Sequence, residues 1–204
     1  MNKKIIFTLT LACLIVTGSM AKAVSTTTVA SNSYFKARVG TFWLMEGASQ
    51  SPSGQGRLEK KVVKTKHQVV GVVGKAGSYT LQVQSTDQQT GRKSLGTIVV
   101  KKNSVTYNLA DFYLYVSLPL KTGKRWPSNP GEKLVNRADD LYQNIAAAKT
   151  AIKNQSQDCF KIVFETLADK AVTTWCNQIG VAADSFEEKS SQEKSQFKIV
   201  NYRY

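Results

Sequence analysis

Cys159-Phe160-Lys161-Ile162-Val163-Phe164-Glu165 and Ala171-Val172-Thr173-Thr174-Trp175-Cys176 are the two segments on which the fold reading turns. Both are rich in β-branched and aromatic residues, alternate in character, and flank the turn-prone Thr166-Leu167-Ala168-Asp169, the pattern of a β-hairpin. A turn centred between Leu167 and Ala168 sets Cys159 directly opposite Cys176, so the spacing predicts a structural disulfide across the hairpin. The same alternation puts Phe160, Ile162 and Phe164 on one face with Trp175 opposite Phe160, an apolar wall; Cys159, Lys161, Val163, Glu165 and Cys176 fall on the other. Such a wall reads first as core and second as the lining of a ligand cavity.

A disulfide requires an oxidising compartment, and the start of the chain supplies the route to one. Lys3 and Lys4 form a basic n-region, Ile5 to Val16 an apolar h-region, and Ser19-Met20-Ala21 and Ala21-Lys22-Ala23 both offer small-residue cleavage sites, which together read as an export signal over 1–23. The h-region is shorter than the roughly 20 residues of a permanent membrane helix. Cys13 lies inside it with Thr10 where a lipidation signal has Leu, so a lipoprotein anchor is not expected. The expected address is periplasmic or secreted, with membrane association peripheral at most. Cleavage after Ala23 removes three of the lysines and leaves +11 of the chain's +14 charge. So basic an exported protein points to anionic partners: lipid headgroups, acidic glycans, or, less readily, nucleic acid.

Outward from the hairpin, a short lead-in (24–33) precedes one β-rich domain over 34–204. Strands are expected at Ala37–Met45, Gly56–Val70, Ser78–Ser85, Leu95–Lys101, Val105–Leu109 and Phe112–Ser117. Gly47–Gln55 reads as a loop and Trp126–Gly131 as a linker. Further strands are expected at Glu132–Arg137, Cys159–Thr166, Ala171–Asn177, Val181–Lys189 and Phe197–Tyr202. Over 139–153, Leu141, Ile145, Ala148 and Ile152 recur at helical spacing behind an Asp pair, predicting a short helix with a strand as the competing reading. The fold class is therefore mainly β, a curved antiparallel sheet of half-barrel type with one short helix.

Two neighbourhoods echo each other. Arg38-Val39-Gly40-Thr41-Phe42-Trp43 and Lys121-Thr122-Gly123-Lys124-Arg125-Trp126 share basic-x-Gly-x-x-Trp, a Gly turn leading into a strand that buries a Trp. Leu118-Pro119-Leu120-Lys121-Thr122-Gly123-Lys124-Arg125-Trp126, Asp158-Cys159-Phe160-Lys161-Ile162 and Thr174-Trp175-Cys176-Asn177-Gln178-Ile179-Gly180-Val181 resemble short motifs of the TapB-like family, exported bacterial β-proteins of unknown function. The chain departs from that pattern at Asn177-Gln178, where the family has a Pro-bearing turn, and in the Ala-rich 139–153 stretch. The resemblance implies a strongly curved antiparallel sheet whose concave face accepts an apolar ligand or another protein's strand, with no catalytic residues.

Nothing else in the sequence points to an enzyme. His67, the one histidine, sits in Lys64-Thr65-Lys66-His67 and reads as an exposed strand residue with no nucleophile to serve. Glu187-Glu188 would point to opposite faces of a strand, which makes a poor acid–base pair. Phosphate-loop, nucleophile-elbow and zinc motifs are absent, and no metal or cofactor is expected. Arg57, Lys60, Lys61, Lys64 and Lys66 form the densest charge cluster, suited to an exposed sheet edge or an anionic surface. The sequence thus predicts a non-enzymatic envelope binding module for an apolar or anionic amphiphilic ligand such as lipid. The alternative is an interaction factor that meets an envelope or host protein through its sheet edge and basic surface.

Overall fold

In the hairpin, Cys176 pairs with Cys159, Trp175 with Phe160 and Lys170 with Glu165, the register expected from a turn between Leu167 and Ala168. A disulfide joins Cys159 to Cys176. The computed structural model describes residues 35–54, 57–75, 77–110, 112–128, 141–152 and 155–204. The signal segment (1–23), the lead-in (24–33) and the strand expected at Glu132–Arg137 lie outside them.

The described residues form twelve strands: β1 Phe42–Pro52, β2 Leu58–Lys75, β3 Ser78–Asp87, β4 Lys93–Lys101, β5 Ser104–Leu109, β6 Phe112–Ser117, β7 Arg125–Pro127, β8 Leu141–Ile152, β9 Gln155–Glu165, β10 Asp169–Cys176, β11 Gly180–Glu188 and β12 Lys194–Arg203. They belong to a single antiparallel sheet ordered β6-β5-β4-β3-β2-β1-β12-β11-β10-β9-β8-β7. Each half of the chain is an up-and-down meander, and the two meanders join where the first strand pairs with the last, from Phe42↔Arg203 to Gln50↔Lys194. The terminal strands of that order, β6 and β7, come together without a ladder. The sheet therefore curls further than a half-barrel, into a nearly closed barrel with one seam.

Three expectations are corrected. The 139–153 segment is no helix: its described residues are β8, paired with β9. A register shift between Asn144 and Ala146 inserts one extra residue there, so the alternation changes phase mid-strand and imitates helical spacing. The stretch read as a loop from Gly47 continues β1 to Pro52, because β1 has ladder partners on both sides and paired backbone overrides the weak strand preference of Gly, Ala and Ser. Trp126, assigned to a linker, lies in β7.

The echoed motifs are the same device built twice. Thr41 N donates to Arg38 O and Lys124 N to Lys121 O, each at 3.0 Å. Both glycines take positive φ, +92° at Gly40 and +82° at Gly123, the conformation that lets a four-residue turn close tightly. Each turn launches a strand whose Trp points inward, and both Trp43 and Trp126 are buried. The first device sits at the β12–β1 junction, the second at the seam. There the Trp126 indole N–H donates to Tyr115 O at 2.8 Å, and Lys124 Nζ donates to Ser117 O and Pro119 O, each at 3.0 Å. Side-chain donors thus cover carbonyls of β6 and of the turn just after it, on the side where β6 has no ladder partner. Trp126→Phe keeps the bulk but drops that donor; it is expected to cost about 1 kcal/mol and to speed amide exchange in β6. Unchanged β6 exchange would mean that the indole bond does not hold the seam.

Inward-facing side chains from both halves make one core, including Leu81, Val83, Ile98, Val100, Val105, Leu114, Val116, Ile162 and Trp175. Their alternation with exposed residues follows the pleat.

Candidate functional site

One end of the barrel is filled by aromatic rings. Phe35, just before β1, lies 6.2 Å from Trp43, 6.0 Å from Tyr107 and 6.1 Å from Trp175. Tyr107 also meets Trp175 edge-on at 5.8 Å and Phe112 at 5.9 Å. These edge-on and offset geometries are the favoured aromatic pairings. Trp43 is anchored by its indole N–H to Ile179 O at 3.1 Å. Of the apolar wall expected from sequence, Ile162 and Trp175 are fully buried, while Phe160 and Phe164 are partly buried against this core.

The interior nearest the seam is different in character. Trp126 stacks on Tyr142 at 6.0 Å and Tyr142 meets Phe164 at 5.2 Å with its ring tilted by 44°, a short aromatic ladder running from β7 through β8 to β9. Polar groups share the interior with it. Thr173 donates its hydroxyl to Asp184 Oδ1 at 2.7 Å, and burial holds the Asp184 carboxyl above the usual carboxylate range, partly opposed by that bond. Burial, helped by the Tyr113 and Asp184 charges, pushes the Tyr142 phenol up to about 12. At the mouth of the seam stand Lys121, Lys124 and Arg125. The aromatic ladder thus lies beside the basic segment that joins β6 to β7, and the Asp184 charge reaches its middle ring, Tyr142.

Sequence reasoning missed Asp184 and Tyr142. The signal for Asp184 was present, because strand alternation puts it on the same face as Phe186, an acid on an apolar row. Tyr142 lay within the misread helix.

His67 is not the exposed residue expected. It pairs with Trp43 across β1 and β2, faces inward, and its Nδ1 lies 2.8 Å from Ser85 Oγ. Burial disfavours the proton and lowers the His67 pKa to about 4. A base with a depressed pKa leaves the unfolded chain to take the proton first. The associated stability is therefore present above about pH 6.5 and is lost as pH falls toward about 4. The lone imidazole gives a clean NMR titration; a midpoint near 6.5 in the folded protein would show His67 to be solvated.

The basic cluster divides by strand parity. Lys60, Lys64 and Lys66 face outward, whereas Lys61 lies on the other face and Arg57 precedes β2. Lys64 is ion-paired to Glu46, and Lys66 lies 5.1 Å from the Phe42 ring centre, so neither is a free cation. The edge expected there is real over part of β2 only: β3 pairs with β2 from Thr65 onward, leaving the 58–63 stretch laddered to β1 alone. Beside it, a shallow open groove of about 440 Å³ crosses the outer face of the barrel, lined by residues of β1, β2, β10, β11 and β12.

No family model matches the chain. Nor does any curated protein. The TapB-like resemblance therefore rests on its short motifs alone. Solved structures do share the fold. A candidate exported protein with a YmcC-like fold from Bacteroides fragilis aligns over 84% of this chain and 99% of its own, with TM-score 0.53 and 8% identity. A candidate lipoprotein from Parabacteroides distasonis aligns over 85% of this chain and 99% of its own, with TM-score 0.52 and 11% identity. At such identities the likeness is one of fold.

Proposed function

We propose that this chain is an exported, non-enzymatic envelope module that binds an apolar or amphiphilic anionic ligand such as a lipid, with the β6/β7 seam as its portal. The observation that carries this reading is the coincidence, at the one strand junction lacking a ladder among the described residues, of the Trp126–Tyr142–Phe164 aromatic ladder and the basic trio Lys121, Lys124 and Arg125. Apolar chains gain by leaving water for an aromatic wall, while a phosphate or carboxylate head is favoured beside cations at the rim. Side-chain bonds can part locally at smaller cost than a strand ladder, giving a ligand a way in. The export signal and the disulfide support an envelope address, periplasmic or secreted.

Native mass spectrometry of the mature protein from its own compartment, before and after organic extraction, tests the reading. The expected result is a lipid-sized adduct that extraction removes and that Trp126→Ala diminishes. A clean unliganded mass in the wild type would overturn it.

A further inference from the structure

The outer groove lies away from the seam and is built differently. Its floor is one row of the sheet: Ala48 pairs with Gln196, Gln196 with Ser185 and Ser185 with Val172, so the short side chains of Ala48, Ser185 and Val172 leave a trough across four strands, into which Gln196 projects. Along one side runs the next outward row, in which Lys60, Gln50, Lys194, Glu187 and Lys170 are successive cross-strand partners. Cations therefore recur at every second strand, about 10 Å apart at ordinary strand spacing. The acids nearby are already engaged: Glu187 with Lys194 at 2.8 Å, and Glu165 with Lys170 at 3.5 Å and Lys189 at 3.4 Å. Lys60 has no ion-pair partner among the described residues. Lys194 and Lys170 are themselves held in these exposed pairs, which an incoming anion displaces at small cost, and three ammonium groups against Glu187 and Glu165 leave the groove net positive.

The chemistry of the lining narrows the occupant. The strands of the floor have ladder partners on both sides, so they have no free backbone edge to offer a peptide strand. The floor is too open and shallow to enclose an acyl chain on all sides. Instead, Gln50 and Gln196 present carboxamides that both donate and accept, suited to sugar hydroxyls, between ammonium groups suited to carboxylates. Evenly repeated cations match an extended polymer with evenly repeated charge. We infer that this groove binds a segment of acidic polysaccharide in which charged and neutral sugars alternate.

The inference does not rest on the lipid reading, and its test has a separate readout. The full mature protein is titrated with a short hyaluronan oligosaccharide, with an uncharged N-acetylglucosamine oligomer as control, while backbone amide shifts are followed. Saturable binding of the acidic oligosaccharide alone, with shifts centred on Ala48, Ser185 and Gln196, is expected. Lys60→Gln should weaken it about tenfold, the scale of one charge-assisted hydrogen bond, whereas Lys121→Gln at the seam should leave it unchanged. Absence of binding, equal binding of the neutral oligomer, or shifts confined to the seam would overturn the inference. So would binding to phosphatidylglycerol vesicles but not to the oligosaccharide, which would make the groove a membrane-facing surface.

Discussion

Trp175→Ala is expected to destabilise the protein by about 3–5 kcal/mol, the cost of emptying a large aromatic site in a packed core. The indole is fully buried, touches Phe35 and Tyr107, and sits opposite Phe160 in the disulfide hairpin. Its neighbours are held on strands with fixed register, so the cavity cannot readily collapse. Trp175→Phe separates bulk from polarity. The Trp175 Nε1–H is buried without a hydrogen-bond partner among the described residues, so removing it relieves a desolvation penalty while most of the apolar contact remains. The Phe variant should therefore lose less than half as much as the Ala variant. Equal losses in urea denaturation would show that the indole N–H is satisfied and contributes.

Removing the disulfide, as Cys159→Ala with Cys176→Ala, is expected to lower stability by about 3 kcal/mol, mainly by releasing the unfolded chain. The bridge closes a sequence separation of 17 residues, and the hairpin it spans lies inside the second meander, with neighbours on both sides. Both sulfurs belong to buried residues, so some of the loss is packing. Parallel urea titrations of wild type, reduced wild type and the double variant measure it. A midpoint that does not move on reduction would mean that the ladder alone sets the hairpin's stability.

Much of the fold was legible where alternation is clean. Phe112–Ser117 was read to the residue because Phe112, Leu114 and Val116 alternate with tyrosines and a serine, and the disulfide register followed from turn chemistry alone. β8 was not legible, because a bulge shifts its phase and alanines are at home in helices. β1 was cut short because its small polar half becomes a strand only when β12 arrives beside it. The same distinction governs the candidate sites. The apolar residues Phe160, Ile162, Phe164 and Trp175 and the basic residues Arg57, Lys60, Lys61, Lys64 and Lys66 could be named from local pattern. That Lys60 stands in line with Lys194 and Lys170 depends on the register of five strands, which no local window contains. The seam was visible only as two similar Gly–Trp turns, without any sign that the second closes a barrel.

The pairing of first strand with last also governs how the protein is made. Arg38 donates to the main-chain oxygen of Tyr204, 166 residues later, at 3.1 Å, and β1 and β12 lie side by side for most of their length. A polypeptide emerges from its N-terminus, so the first meander can assemble while β1 still presents a bare backbone edge. Until β12 has emerged and docked, that edge is open to any other strand it meets. Such sequence-distant closure is slow, making the interval between assembly of the first meander and docking of β12 the one in which this protein is most vulnerable to aggregation.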